Sequence, residues 1–456
     1  MSGLSGSGGD GAPAGVHDTD ARAVRRNAGD APPAQRRAAR AAGNLTGAAL
    51  TGAALTGAAL TGAAASGADR EPVVVLGRRT AFARRNGAFG SVLADELLAP
   101  VLSAVVAAGG IPAADIDDVI IGNAVGGGGN VARLAALAAG LPSRVPGMTI
   151  DRQCGSGLEA IVLACRLVAS GAGSAYLAGG VESCSTAPLR AHRLTSTPGH
   201  PDFFDRVRFS PDEVGDPDMG AAAENVADRF GITRERQDAF ALRSHRLAVV
   251  AQDSGALAGE IVPVRGEAGL VRADEGPRRS LTAELLRRFP PVFRPGGTVT
   301  AGNSCADADG AVVVLVTSRR VADSLGLTGY LRFVDSAVTG TDPNHLGIAG
   351  AEAARLVLDR QNVASADLAR IEFNEAFAAQ VLASMDILGI PEERANFQGG
   401  ALAVGHPFGA SGALLVLRLL TQGRASGRAG ELSLSAVSIA GGLGVAALWR
   451  WDGTVR

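Results

Sequence analysis

The chain has 456 residues, 46% hydrophobic and 19% charged, enough to bury a large core and too long for one small domain. A net charge of −2, with all 43 basic residues arginine, gives no electrostatic case for nucleic acid. The four cysteines form no C-x-x-C pair or His/Cys cluster, which speaks against a metal site and fits a reducing cytoplasm; no apolar run of about 18 residues predicts a membrane span or secretion.

Residues 1–70 are rich in Ala, Gly, Arg and Asp, with Leu-Thr-Gly-Ala-Ala repeated four times over 45–64, and read as a low-complexity tail without structure. From Glu71 the pattern changes. A buried strand is expected at 72–76, a helix at 94–108, a strand at 118–122, a glycine-rich loop at 123–130 and a helix at 131–139. A short strand at 147–150 leads into Asp151-Arg-Gln-Cys154-Gly-Ser-Gly157, a turn that opens a helix, and a strand follows at 174–178. Alternating strands and helices imply an α/β sheet with its sites at strand ends.

Residues 184–307 break this rhythm and read as an inserted lobe rather than a third sheet, with helices at 218–230 and 233–254. The α/β pattern resumes with strands at 311–316, 331–339 and 371–374, and a helix at 351–360. The helix opening at Ser411 echoes the one opening at Ser156, and Leu434–Gly442 echoes Ala175–Gly180. Such self-similarity predicts two equivalent halves whose turns face each other, one holding Cys154 and the other His406.

A cysteine beside glycines before a helix meets backbone N–H groups and the helix dipole, both of which favour a thiolate. A nucleophilic thiol also needs a base, here His406, and its tetrahedral intermediate needs donors, which Asn374 and the N–H groups of the glycine turns can supply. Each residue alone fits a structural role equally well: Cys154 as a buried cysteine, His406 as a satisfied histidine, Asn374 as a cap. Only the combination is specific. The run Gly126–Gly129 lacks the G-x-G-x-x-G spacing of a dinucleotide site and reads as plain loop.

The combination resembles the thiolase family. Cys154-Gly-Ser-Gly, Thr300-Ala-Gly-Asn303, Asn374-Glu-Ala-Phe377 and Gly405-His406-Pro-Phe-Gly look like its signatures in its order, and the likeness spans roughly 71–451. It implies two similar α/β halves in a layered αβαβα core: 71–183 with 308–330, then 331–456, with the lobe 184–307 holding coenzyme A. It further implies homodimers or homotetramers, acyl-CoA thioesters as substrates and no tightly bound cofactor or metal. By the same resemblance Cys154 takes the acyl group, His406 activates it, Asn374 helps hold a first oxyanion hole, and the N–H groups of Cys154 and Ala440 form a second. Met219, Cys305, Phe377, Ala440 and Gly442 join the substrate-contacting set, Cys305 where the family usually has serine.

The sequence also departs from the family. Ser438 stands where a second reactive cysteine normally removes a proton from the acceptor, and a hydroxyl is a far weaker acid than a thiol. Asp218 replaces a common histidine, Ala440 a glycine, Leu414 an arginine, and Ile348-Ala-Gly350 a Gly-Pro loop. The expected function is acyl transfer through Cys154 to an acyl-CoA, with Ser438 as stand-in base. The alternatives are a decarboxylating or heteroatom acceptor, or a non-catalytic scaffold subunit.

Overall fold

In a computed structural model, residues 67–193, 200–204 and 206–453 are described. The expected tail therefore lies outside the described residues up to Ser66; Gly67–Arg70 forms a 3₁₀ turn.

The first half contributes β1 (Pro72–Arg79), α1 (Ala94–Gly109), β2 (Asp118–Gly122), α2 (Val131–Ala138), β3 (Gly147–Ile150), α3 (Ser156–Ser170) and β4 (Ala175–Ser183). The intervening segment carries α4 (Met219–Phe230) and α5 (Arg234–Asp253), together with two small hairpins, Arg190–His192 with Asp202–Phe204 and Val264–Gly266 with Gly269–Val271. No strand of these hairpins joins the main sheet, although the sequence signalled neither of them. The chain returns through β5 (Ala308–Ser318), all eleven residues of which are buried, and pairs antiparallel with β4.

The second half is β6 (Tyr330–Gly340), α6 (Ala349–Gln361), β7 (Leu368–Phe373), α7 (Ala378–Leu388), α8 (Phe408–Ser426), β8 (Leu432–Ile439) and β9 (Leu443–Asp452). The strand order is β7-β8-β9-β6-β1-β5-β4-β2-β3. The halves match in pairing sense: β2/β4 and β7/β8 are parallel, while β4/β5 and β8/β9 are antiparallel. Only two residue pairs, Val73 with Arg332 and Val74 with Leu331, stitch β1 to β6. The two expected sheets are thus joined at a narrow seam.

Three apolar clusters give the layering. One holds α1 and α2 against the outer face of the first half, and another holds α6 and α7 against the second. Between them α3 and α8 pack together, touching both halves of the sheet. Their approach depends on glycine. A Cβ on Gly157 would lie 2.5 Å from the carbonyl oxygen of Gly409, and one on Gly412 2.7 Å from the backbone nitrogen of Leu158, closer than real side chains come. This reciprocal contact brings the start of α3, beside Cys154, against the start of α8, beside His406.

One echo is corrected. Gly179 and Gly180 lie within β4, where a side chain would strike the carbonyl groups of Val312 and Gly409. Gly441 and Gly442, their expected counterparts, instead make the turn from β8 to β9 at φ of +76° and +78°, which L side chains rarely adopt.

Candidate active site

Cys154 sits in a 3₁₀ turn, Gln153–Gly155, at the mouth of α3. Gln153 is left-handed at φ +48°, a conformation that costs a non-glycine residue on the order of 1 kcal/mol. Neighbouring side chains hold it there. Asp151 accepts from the Gln153 N–H at 2.7 Å, and the Ser156 hydroxyl donates to the Gln153 carbonyl at 2.6 Å while accepting from the Arg152 N–H at 2.8 Å. The Cys154 thiol is partly accessible yet deep among protein groups, and burial pushes it up to about 12. The N–H groups of Ala440 and of Cys154 itself point at the sulfur and pull the other way, but the lost hydration outweighs them. The turn does not supply the resting thiolate that its place before a helix suggests.

His406 is 2% exposed and precedes α8. Burial lowers it to about 4, so the imidazole is neutral at physiological pH. Its Nδ1 lies 2.6 Å from the Ser411 hydroxyl, which donates onward to the Pro407 carbonyl at 3.0 Å. Ser411 must therefore accept from Nδ1–H, leaving Nε2 as the basic nitrogen. The Asn374 amide nitrogen approaches that Nε2 at 3.5 Å. Asn374 follows β7; its N–H donates to the Ala436 carbonyl at 3.0 Å, and its own carbonyl accepts from Gln380. Histidine and asparagine are thus held together by two turns of the second half.

A cavity of about 710 Å³ opens over Cys154. Met219, Ala440 and Phe408 line it, with the glycine-rich loop around Val125–Gly129 on one wall and Arg85, Arg190 and Arg206 among its polar groups. Phe408 stands edge-on to His406 with ring centroids 5.1 Å apart, so the imidazole lies directly behind the cavity wall.

The other expected residues fall nearby in different ways. Phe377 precedes α7 and packs edge-on against Phe293 at 6.0 Å. Gly442 accepts from the Thr341 N–H at 2.6 Å. Cys305 lies on the strand-like segment between the Asn374 and His406 turns. Ser438, at the end of β8, donates its hydroxyl proton to the Gly347 carbonyl at 2.6 Å and accepts from the Gly350 N–H at 3.0 Å. Asp218, just before α4, is held by Arg206 at 3.2 Å.

Two contributors were not singled out from the sequence. One is Ser411, described above. The other is Glu182, a fully buried carboxylate that accepts from the N–H groups of Ala124, Val125 and Gly409 and from the Asn123 amide. It ties the glycine-rich loop to the start of α8; burial pushes it up to about 7, against the pull of those donors. Among the described residues no group of His, Cys, Asp or Glu could hold a metal, and no helix is long and apolar enough to cross a membrane.

Known proteins share this architecture over its whole extent. The thiolase N-terminal domain matches residues 72–320 and the thiolase C-terminal domain 327–450. The chain belongs to the thiolase family of acyltransferases. It is 43% identical over 387 residues to VraB of Staphylococcus epidermidis, covering 84% of this chain and 100% of that protein, and 43% identical over 382 residues to VraB of Staphylococcus aureus, covering 83% and 99%. Both relatives bear the provisional name acetyl-CoA C-acetyltransferase. The crystal structure of the Bacillus anthracis acetyl-CoA acetyltransferase superposes with a TM-score of 0.78 at 36% identity, covering 85% of this chain and all of that one.

Proposed function

We propose that the enzyme loads an acyl group from an acyl-CoA onto Cys154 as a thioester and passes it to the α-carbon of a second acyl-CoA, in a ping-pong scheme. One observation carries this reading: Cys154 lies at a large cavity with the N–H groups of Cys154 and Ala440 beside its sulfur, within reach of the carbonyl oxygen of an acyl group carried there. In the loading step His406 Nε2 takes the thiol proton as sulfur attacks. The Asn374 amide, directed at the same nitrogen, helps hold the other oxyanion.

The segment 184–307 serves as the coenzyme A lobe between halves 71–183 with 308–330 and 331–456. Support comes from Met219, Arg190 and Arg206, which it contributes to the cavity; Arg190 and Arg206, with Arg85, suit the anionic end of coenzyme A. The reading includes a cytoplasmic homodimer or homotetramer, consistent with four free cysteines and with β3, a half-buried strand at the edge of the sheet.

Exchange of labelled coenzyme A into unlabelled acyl-CoA, without any acceptor, tests the loading half-reaction across chain lengths. Exchange that vanishes in Cys154→Ala is expected. No exchange with any acyl-CoA from two carbons upward would overturn the reading and favour a scaffold subunit.

A further inference from the structure

A second cavity, of about 330 Å³, shares no lining residue with the one over Cys154. It lies between the end of β1, the C-terminal half of α8 and the chain that follows α5, and it opens to solvent beside Ala425. At a rise of about 1.5 Å per residue, its α8 wall at Thr421 and Arg424 stands about 20 Å along the helix from His406. Two guanidinium groups line this cavity, and neither has a carboxylate partner among the described residues. Arg78 donates to the Gly77 carbonyl at 2.8 Å, and Arg424 to the Val75 carbonyl at 2.6 Å and the Gly329 carbonyl at 3.2 Å. These neutral acceptors leave both positive charges uncompensated and much of each donor fork unused. The two charges also oppose each other: burial lowers the pKa of Arg424, and the charge of Arg78 lowers it further.

Glu260 is the carboxylate on the wall, 1% exposed, and its charge is already shared. Its Oε1 meets Arg79 Nε at 2.7 Å and Arg418 at 3.4 Å. Its Oε2 is buried and accepts no hydrogen bond from any described residue, a costly state unless a donor reaches it. Thr421, also on the wall, gives its hydroxyl proton to the Arg418 carbonyl at 3.1 Å, so its oxygen is free to accept. The cavity thus presents two unpaired cations and two acceptors. Water satisfies the acceptors and leaves the cations unopposed, while an oxyanion without a proton satisfies the cations and is repelled by Glu260. An oxyanion that carries its own O–H satisfies both.

We propose that this cavity binds a protonated phosphate group, with Arg78 and Arg424 on its charged oxygens and Glu260 Oε2 accepting its O–H. Arginine forks match the spacing of phosphate oxygens, and the volume leaves room for a small organic body behind the phosphate. The bound group would tie β1 to α8 across the cavity. This site is distinct from the acyl-transfer site and stands whether or not Cys154 carries an acyl group.

Calorimetric titration of the full chain tests this at about pH 6, where inorganic phosphate and much of a phosphate monoester keep an O–H. Inorganic phosphate should bind with a Kd of about 1 mM or tighter. Sulfate, of the same tetrahedral shape but without an O–H, should bind at least about tenfold more weakly. Arg78→Gln and Arg424→Gln should each weaken phosphate at least about tenfold while still unfolding cooperatively on heating, and Arg424→Lys, which keeps the charge, should bind more tightly than Arg424→Gln. The paired change Arg85→Gln with Arg190→Gln, in the cavity over Cys154, should leave this binding within about twofold. Glycerol 3-phosphate binding more tightly than inorganic phosphate assigns the site to an organic phosphate, and the reverse assigns it to the free ion. Phosphate affinity within about twofold of wild type in both glutamine variants overturns the proposal, as do sulfate binding as tightly as phosphate and no phosphate binding up to about 20 mM.

Discussion

Replacing His406 with asparagine should change the pH dependence of acyl loading as well as its rate. In the wild type the Cys154 thiol, held near 12 by burial, is ionised at pH 7 to the order of only 10⁻⁵, so attack depends on proton removal as the S–C bond forms. His406, lowered to about 4 by burial, stays neutral above about pH 5. Its folded value lies below the unfolded one, so the basic form is present throughout the neutral range and is lost only as pH falls through about 4. Wild-type loading should therefore be flat from pH 6 to 9. In His406→Asn only spontaneously ionised thiol reacts, and its concentration rises tenfold per pH unit. A loss of about 10³ at pH 7, within the usual range for a general base, should shrink to about 10 at pH 9. Rapid-quench loading with acetyl-CoA, read by intact protein mass, measures both profiles. Parallel profiles, or a loss below tenfold at pH 7, would refute His406 as the base.

Ser411→Ala removes the acceptor that fixes Nδ1–H, and should slow loading about tenfold with KM little changed; an unaltered rate would mean that the ring is oriented by its packing alone. Ser438→Ala strands the buried Gly350 N–H and should cost about 1–3 kcal/mol in denaturant unfolding while loading stays within about threefold of wild type. A large loss of loading with unchanged stability would return Ser438 to the chemistry. Gly157→Ala sets a methyl group 2.5 Å from the Gly409 carbonyl and should destabilise by about 2–3 kcal/mol, with loading reduced because the Cys154 and His406 turns are forced apart; a fully stable and active variant would contradict the close crossing of α3 and α8.

The strands at 118–122 and 147–150 were legible residue for residue, because short apolar runs there end at glycine and polar punctuation. The helix at 378–388 and the strand at 443–452 gave no comparable signal. Both are buried on nearly all sides, and elements without a wet face lose the periodicity that distinguishes helix from strand. Cys154 and His406 stood out as candidates because each lies in a glycine-rich turn, whereas Asn374, in the glycine-free run Asn-Glu-Ala-Phe, stood out through its likeness to a family signature. Ser411 lies in the same glycine-rich run as His406 but read as the opening of a helix, which in fact begins at Phe408, rather than as the histidine's partner, and Glu182 joins residues as far away as Gly409. The direction of the Cys154 shift was equally hidden: the helix start is visible in sequence, while the burial that overrides it is a property of the packed halves.

The central claim is that Cys154 carries the acyl group. Acetyl-CoA mixed with enzyme in the absence of acceptor, followed by acid quench and peptide mapping, should place one acetyl group per chain on the peptide containing Cys154, with an equivalent of free coenzyme A thiol released. An acetyl group found on another residue, or thiol release with the Cys154 peptide unmodified, would contradict it.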